Sequence, residues 1–236
     1  MTKTDKSIRT LAVDIGGSGI KVMVLDEDGQ PITERGRVET PQPPKPEPVL
    51  AAIASLVTEQ GEFDRISVGF PGVVSNGITK TAVNLDPDWV EFDLANTLKD
   101  RLGKPVRVVN DADMQGMGAI SGKGVELVIT LGTGFGSALF VDGKLVPNLE
   151  AGHHPFRKGE TYEQQLGRVA LDEVGQKRWN RRLEKAIAIL LNLFSCDCLY
   201  LGGGNTKKIT FELPPRVTIV PNVSGLLGGI ALWRDE

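Results

Sequence analysis

Two carboxylates directly follow a short apolar segment, in the sequence Asn110-Asp111-Ala112-Asp113. The segment Pro105 to Val109 predicts a buried strand, and small residues with helical spacing come after it. A carboxylate at the end of such a strand faces the crevice in which α/β proteins bind their ligands. Aspartate is also a typical N-cap of helices. Asp111 is therefore either a ligand-directed group or, like Asp113, a candidate helix cap.

Two glycine-rich loops could bind phosphate. The first covers Asp14 to Lys21 and the second Gly132 to Ala138, and each is flanked by apolar segments. Because each loop joins two predicted strands instead of opening a helix, neither matches a dinucleotide fingerprint or a Walker loop. Glycine has no Cβ, so the backbone N–H groups can come close to a phosphate. An ordinary hairpin explains one such loop, whereas two similar loops indicate a duplicated architecture that holds one phosphate group between two lobes.

Further candidates lie along the chain. Asp14, at the end of the first predicted strand, could hold Mg²⁺ directly or through water. Glu150 and His153 are three residues apart and can converge on one ligand, although both could simply be polar surface residues. A third glycine cluster, Gly202 to Asn205, follows a predicted strand, which fits a nucleotide or phosphate against the backbone. The basic segment Lys177 to Arg182 is either a solvated helix face or a surface that attracts a polyanion.

The elements that must position these residues alternate between strands and helices, which predicts an α/β sheet. Helical spacing predicts helices over Val49–Gln60, Phe92–Leu102, Ala112–Ile120, Ala170–Leu193 and Ser224–Trp233. The proline-rich segment Pro41 to Pro48 is predicted to be a connector that is neither helix nor central strand.

Composition narrows the function classes. The chain has 236 residues and a formal net charge of −3, so no general attraction to nucleic acid or to an anionic membrane is expected. Two cysteines, Cys196 and Cys198, exclude a disulfide framework. The first nine residues are polar and lack an apolar signal core, and no segment reaches 18 apolar residues. A cytoplasmic protein is the expectation.

Six motifs in order resemble the ROK family of sugar kinases, within the hexokinase and actin-like ATPase superfamily. They are DIGGSGIK (14–21), GFPGVV (69–74), NDAD (110–113), LGTGFGSA (131–138), EAGHH (150–154) and LGGGN (201–205). The chain looks most like the short polyphosphate glucokinase branch. The resemblance implies a two-lobed, ribonuclease H-like duplicated α/β fold with a cleft between the lobes. The N-terminal lobe would be 1–109, completed by 224–236, and the C-terminal lobe 110–223.

The resemblance also implies a role for individual residues. Asp111 is the expected general base that takes the proton from the 6-hydroxyl of glucose or a related hexose. The residues expected to bind the sugar, besides Asp111, are Gly72, Asn84, Asn110, Glu150, His153 and Glu163. Those expected to bind the phosphates of polyphosphate or ATP are Asp14, Gly16, Gly17, Ser18, Gly19, Lys21, Gly132, Thr133 and Gly134. Gly203 and Gly204 would lie near the adenosine if the donor is a nucleotide. Asp14 would also organise Mg²⁺, and a homodimer is a family expectation.

The sequence departs from the family pattern after His153. The cysteine-rich zinc motif expected there is absent, so no structural zinc is predicted. Glu163 is aligned with the glutamate that usually follows this motif, so its alignment has weaker support. The segment EAGH stands where the family commonly has ELGH. The second lobe is also short, which would reduce the adenosine pocket and suit a donor without a base.

Three alternatives remain beside a glucokinase. A sugar-responsive repressor of the same family would need a DNA-binding helix-turn-helix, for which nine residues before Thr10 leave no room. A sensor that binds a sugar or nucleotide without catalysis would keep the fold but has no need of Asp111 and both loops. A kinase for mannose, N-acetylmannosamine, N-acetylglucosamine or fructose fits the sequence equally well.

Overall fold

The computed structural model describes residues 7–82, 85–221 and 224–234. The chain divides into two compact units. The first contains the described part of residues 1–114 together with that of 225–236, and the second contains that of 115–224.

Short strands and helices alternate along the chain. The strands are β1 (Thr10–Ile15), β2 (Ile20–Leu25), β3 (Gly36–Val38), β4 (Arg65–Phe70), β5 (Val74–Ser75), β6 (Ile78–Thr79), β7 (Phe92–Asp93), β8 (Val106–Asn110), β9 (Val125–Leu131), β10 (Phe135–Val141), β11 (Lys144–Val146), β12 (Pro155–Arg157), β13 (Glu160–Thr161), β14 (Cys198–Gly202) and β15 (Val217–Ile219). The helices are α1 (Pro46–Val57), α2 (Leu94–Leu102), α3 (Asp111–Met117), α4 (Tyr162–Leu166), α5 (Arg168–Val174), α6 (Gln176–Phe194) and α7 (Ser224–Leu227).

The two units repeat one sheet architecture. The first sheet has the order β3-β2-β1-β4-β8 and the second has the order β11-β10-β9-β14-β15. In each, the first three strands of the unit form an antiparallel meander, and two further strands add in parallel beside the opening strand. The predicted α/β duplication is confirmed, and both predicted glycine loops join the first two strands of a sheet.

A separate apolar core fills each unit. In the first unit the core is built on β1, where Leu11, Val13 and Ile15 are fully buried. In the second it is built on β9, with Leu127 and Ile129. Such near-continuous apolar strands are typical of sheets that are covered on both faces.

Each core contains one fully buried tryptophan whose polar atom has a partner. The indole Nε1 of Trp89 donates to the carbonyl oxygen of Pro44 at 2.8 Å, and that of Trp179 donates to Leu166 at 2.9 Å. These bonds let the largest side chains be buried without a lost hydrogen bond.

Helix α1 begins inside the proline-rich segment, where the sequence predicted no helix. Pro46 is its first residue and Pro48 its third. The first N–H groups of a helix have no intrahelical acceptor, so a proline there loses no bond, and its fixed φ suits the helix. The prediction that the whole segment 41–48 is non-helical was therefore wrong.

Glycines shorten two other predicted helices. The predicted helix over 170–193 is divided at Gly175, whose φ is +75°, into α5 and α6. The predicted helix over 224–233 is an α-helical turn followed by a 3₁₀ segment, Gly228–Trp233. A Cβ on Gly229 would lie 3.1 Å from the Cβ of Ser67 and 3.2 Å from that of Ala12, so the glycine permits close packing on the first sheet.

The C-terminal segment of the first unit makes polar contacts with the first sheet. The hydroxyl of Ser67 donates to the carbonyl oxygen of Gly229 at 2.7 Å and accepts from the indole of Trp233 at 2.8 Å. The guanidinium groups of Arg65 and Arg107 lie 5.0 and 4.3 Å from the centre of that indole ring. Within the described ranges, no helix is long and apolar enough to cross a membrane.

Candidate active site

Asn110 and Asp111 stand at the junction of β8 and α3. Asn110 is buried, and its Oδ1 accepts from the backbone N–H groups of Ala112 at 2.8 Å and of Asp113 at 3.2 Å. Asn110 therefore provides the helix cap for which Asp111 and Asp113 were the candidates from the sequence. Asp111 is half-buried, and its Oδ1 accepts from the N–H of Ala112 at 2.8 Å. Its carboxylate thus lies at the start of α3.

Two glycines of the GFPGVV motif make this junction sterically possible. A Cβ on Gly69 would lie 2.8 Å from Cε of Met114 and 3.3 Å from Cα of Asp111. A Cβ on Gly72 would lie 2.3 Å from the carbonyl oxygen of Thr81. The carbonyl oxygen of Gly72 also accepts from the side-chain amide of Asn110 at 3.2 Å. The structure thus brings Gly72, Asn110 and Asp111 together, whereas Asn84 lies outside the described residues.

The first glycine loop is a closed turn between β1 and β2. The N–H of Gly16 donates to the carbonyl oxygen of Gly19 at 3.1 Å, and the hydroxyl of Thr40 donates to that of Gly16 at 2.5 Å. Thr40 is buried and is a positioning residue that the sequence did not reveal, because a lone threonine after a strand carries no distinctive signal. Ser18 is exposed at the tip of the loop, beside the partly exposed Gly17.

Asp14 lies opposite Lys21 in the β1–β2 ladder, and its Oδ2 is 2.6 Å from the Nζ of Lys21. No cluster of three or more histidine, cysteine, aspartate or glutamate side chains that could hold a metal occurs in the described part of the chain. Mg²⁺ is commonly held by one or two carboxylates together with water and phosphate oxygens. The single carboxylate of Asp14 fits that kind of coordination and does not fit an all-protein site.

The second glycine loop, between β9 and β10, is anchored from three sides. The N–H of Gly132 donates to the carbonyl oxygen of Gly134 at 3.1 Å, so this loop closes across two residues, where the first closes across three. The carbonyl oxygen of Gly132 accepts from the side-chain amide of Asn205 at 2.8 Å, and that of Thr133 accepts from the N–H of Arg168 at 3.0 Å. The carboxylate of Glu163 accepts from the N–H of Phe135 at 3.0 Å.

The third glycine cluster lies against the second loop. Gly203 has a φ of +89°, and a Cβ there would lie 2.3 Å from the carbonyl oxygen of Leu131. Gly204 begins the 3₁₀ segment that contains Asn205. The structure therefore brings the Gly132–Gly134 loop and the predicted residues Gly203 and Gly204 together at the ends of β9 and β14.

Glu150 precedes a 3₁₀ turn, Ala151–His153, that lies beside the same loop and ends at His153. Oε2 of Glu150 is 3.7 Å from Nδ1 of His153. A Cβ on Gly152 would lie 2.2 Å from the carbonyl oxygen of Phe135, so the turn rests directly on the loop that Glu163 also contacts. Burial raises the pKa of the Glu150 carboxyl, His153 opposes that change, and the negative charge of Glu163 adds to it.

Ser137 holds this turn in place. Its hydroxyl donates to the carbonyl oxygen of Leu149 and accepts from the N–H of Ala151 at 3.0 Å. The serine was visible only as part of the motif LGTGFGSA, without an assigned role. Within the second unit, Glu150, His153 and Glu163 are thus gathered around the second loop, while Asp14, Asn110 and Asp111 belong to the first unit.

A small hairpin stands where the family's cysteine motif was expected. Strands β12 and β13 pair across the turn Lys158-Gly159, and Phe156 stacks on Tyr162 with ring centroids 4.6 Å apart. Cys196 is buried and Cys198 is partly buried, and both are free thiols. Aromatic packing therefore orders this segment in the structure.

Comparison with known proteins agrees with this geometry. The model of the ROK family matches residues 10–162. The chain belongs to the ROK family. It is 33% identical over 232 residues to a polyphosphate glucokinase of Mycobacterium tuberculosis, an alignment that covers 92% of this chain and 88% of the relative.

Solved structures show the same fold. An inorganic polyphosphate/ATP-glucomannokinase from Arthrobacter sp. strain KM is 37% identical, with a TM-score of 0.87 over 95% of this chain and 99% of the other. A ROK family glucokinase from Streptomyces griseus, in complex with glucose and AMPPNP, has a TM-score of 0.82 over 97% of this chain and all of the other. At 23% identity, this similarity shows the fold alone. The actin-like ATPase fold and the family predicted from six motifs are confirmed.

Proposed function

We propose that this chain is a glucokinase that transfers a phosphoryl group from polyphosphate or ATP to the 6-hydroxyl of glucose or a related hexose. The observation that carries the proposal is the position of Asp111 at the end of β8, in a junction where Asn110 provides the cap. Similarity to polyphosphate glucokinases along almost the whole chain supports the reaction class.

Asp111 acts as the general base. As the sugar oxygen attacks phosphorus, its proton passes to the carboxylate, which must lie within hydrogen-bond reach of the hydroxyl. Asn110 holds the start of α3 in place through the N–H groups of Ala112 and Asp113. Hydrogen bonds to the sugar hydroxyls come from the amide of Asn110, from the carboxylates of Glu150 and Glu163, from His153, and from the segments that contain Gly72 and Asn84.

The two glycine loops hold the donor. Phosphoryl transfer needs positioning and charge neutralisation more than covalent chemistry. Backbone N–H groups of the first loop, Gly16 to Gly19, and of the second, Gly132 to Gly134, supply donors without a Cβ in the way. Lys21 adds a positive charge beside the first loop, and Gly203 and Gly204 flank the second. Mg²⁺ held through Asp14 would neutralise charge on the phosphate oxygens when bound.

Polyphosphate is the donor we favour for this chain. It has no base to bind, so a short second unit of about 110 residues can hold it without a large adenosine pocket. Purified protein with glucose and Mg²⁺ would be assayed for glucose 6-phosphate with polyphosphate and with ATP. Product with polyphosphate supports this donor, and product with ATP alone restricts the proposal to a nucleotide.

The test of the central role is Asp111→Asn, which keeps an Oδ1 for the N–H of Ala112. We expect a normal fold, retained glucose binding by calorimetry, and a kcat about 10²- to 10⁴-fold lower. Asp100→Asn, a change of the same kind at an exposed position on α2, is the control and should keep full activity. Turnover of Asp111→Asn near that of the control would refute the role of Asp111.

A non-catalytic sugar sensor of the same fold is the second candidate, because the same contacts can bind a sugar without transfer. It predicts glucose binding with no product from any donor or hexose. Replacing glucose with mannose, N-acetylmannosamine, N-acetylglucosamine and fructose in the same assay separates a sensor from a kinase for another acceptor.

A further inference from the structure

An arginine on β3 lies against the first glycine loop. A Cβ on Gly19 would lie 3.1 Å from Nε and 3.2 Å from Nη2 of Arg37, so the guanidinium group occupies the space beside Gly19 that a side chain would need. Gly19 is buried, whereas Arg37 is exposed. The charged group of Arg37 is therefore placed on the loop while the residue stays open to a ligand.

The backbone around Arg37 fixes it at this position. In the antiparallel ladder of β2 and β3, Arg37 pairs with Lys21, the second residue after the loop. Three residues farther along, the hydroxyl of Thr40 donates to the carbonyl oxygen of Gly16 at 2.5 Å. The segment from Arg37 to Thr40 therefore runs beside the loop and contacts it at both ends.

Three charged residues form one row across the first sheet. Asp14 pairs with Lys21, and Lys21 pairs with Arg37, so all three side chains lie on the same face. Nζ of Lys21 lies 2.6 Å from Oδ2 of Asp14, which balances the charge of the lysine. Within the described residues, Arg37 makes no hydrogen bond or ion pair, not even with Glu39 two positions away. The row thus carries one positive charge that the protein does not balance.

The position and the charge of Arg37 together favour an anionic ligand. Like charges directly opposite each other on neighbouring strands destabilise a sheet, so placing Arg37 opposite Lys21 has a cost that a bound anion would reduce. The N–H groups of a glycine loop give a phosphate hydrogen bonds but no full positive charge. A guanidinium group supplies that charge, and its donors match the oxygens of a phosphate.

We propose that Arg37 binds the phosphoryl donor, by donating from its guanidinium group to a phosphate oxygen of the chain that the loop Gly16 to Gly19 holds. The ligand class is a linear chain of phosphates, which polyphosphate and the triphosphate of ATP share. Arg37 supplies positive charge at the loop that Lys21, paired with Asp14, supplies only in part.

This role for Arg37 rests on the proposed function, because it takes the ligand of the first loop to be the phosphoryl donor. An interaction that is equally strong with the bound donor and in the transition state raises affinity without changing turnover. Arg37 is therefore a binding residue for the donor and is distinct from the general base, Asp111. Its loss should change the KM for the donor and not the KM for the sugar.

Calorimetric titration of tripolyphosphate into the full chain, with Mg²⁺ present, tests this contact without turnover. Arg37→Gln should weaken binding about tenfold, the loss expected for one charge-assisted contact. Arg35→Gln is the matched control, because Arg35 is also exposed and lies two residues from Arg37 on the side away from the loop. The control should keep the wild-type affinity. No binding to the wild type, unchanged binding to Arg37→Gln, or an equal loss in both variants would overturn the proposal.

The assay for glucose 6-phosphate gives a second, independent readout. Arg37→Gln should raise the KM for the donor about tenfold while kcat and the KM for glucose stay unchanged. A fall in kcat at an unchanged donor KM would indicate a merely structural role and overturn the proposal. A wild type that forms no product with any donor would refute the kinase, whereas the calorimetric comparison would still decide whether Arg37 binds a phosphate chain. A loss of affinity for tripolyphosphate but not for ATP would assign Arg37 to polyphosphate, and a loss for both would assign it to the chain that they share.

Discussion

The side-chain amide of Asn110 donates to the carbonyl oxygen of Gly72 at 3.2 Å, joining two segments that are 38 residues apart. The same side chain accepts two N–H groups at the start of α3 through its Oδ1. One buried residue therefore fixes both the β4–β5 connection and the helix that carries Asp111.

Replacing Asn110 should separate its capping of α3 from its hydrogen bond to Gly72. Asn110→Ala removes the cap and leaves the Gly72 carbonyl oxygen without this donor, so we expect a loss of about 1–3 kcal/mol in the free energy of unfolding. Asn110→Asp keeps an acceptor for the helix but loses the donor to Gly72. Urea denaturation of both variants measures the difference, and equal stability of Asn110→Ala and the wild type would contradict this account.

Replacing Gly69 with alanine should disturb the junction of β8 and α3. In Gly69→Ala the new Cβ meets Cε of Met114 at 2.8 Å and Cα of Asp111 at 3.3 Å. The flexible methionine can move, whereas the backbone of Asp111 must shift by a few tenths of an ångström. We expect kcat to fall about tenfold or more, since small displacements of a catalytic group are costly.

The double variant Gly69→Ala, Met114→Ala distinguishes the two contacts. Shortening Met114 relieves the first clash and leaves the second. We expect the thermal stability of the double variant to differ from that of Met114→Ala by little, while kcat stays low. Recovery of kcat in the double variant would show that Met114, and not the Asp111 backbone, transmits the effect.

Glu126 should make the second unit sensitive to acid. It is fully buried at the start of β9 and accepts from the N–H groups of Ser121 at 2.7 Å and Gly122 at 2.8 Å, and from the hydroxyl of Tyr200 at 2.8 Å. Burial alone favours the neutral acid, but these hydrogen bonds outweigh it and hold the pKa of Glu126 below its ordinary value. The stability it contributes is therefore present above the unfolded pKa of about 4.3 and is lost as the pH falls through the lower, folded pKa.

The variant Glu126→Gln should be less stable than the wild type by about 3 kcal/mol at pH 7, because an amide presents a donor to backbone donors. The difference should shrink as the pH falls through the lowered pKa of the folded protein, where the wild-type carboxyl becomes protonated. Denaturation at several pH values measures this, with exposed Glu184→Gln on α6 as the matched control. A difference that does not depend on pH would show that the charge of Glu126 is unimportant.

Glu150 should behave in the opposite way. Because burial raises the pKa of its carboxyl, the ionised form costs stability at neutral pH, and that cost disappears as the pH falls through the raised pKa. Glu150→Gln should therefore raise the melting temperature at pH 7 and lose this advantage in acid. If Glu150 binds the sugar, the same variant should raise KM for glucose. A lower melting temperature at pH 7 would contradict the assigned cost.

Local patterns were sufficient to predict most elements, and their failures have local causes. The helix before Gly103 ends there as predicted, because Gly103 adopts a left-handed conformation with φ of +67°. The start of α1 at Pro46 was missed because proline was treated as a helix breaker, although it is tolerated in the first turn. The break at Gly175 depends on a positive φ that a glycine permits but does not require.

The sequence alone was enough to predict the duplicated α/β fold, the family and the two loops, because buried strands and glycine turns are encoded by neighbouring residues. Only the tertiary structure decided that Asn110 supplies the cap, that Glu163 supports the second loop through Phe135, and that Ser137 holds the turn after Leu149 in place. These relationships join residues from separate elements, and their partners are set by how those elements pack. Apolar periodicity predicts which face of a helix or strand is buried. It does not predict which polar atoms will form hydrogen bonds with each other across the packed elements.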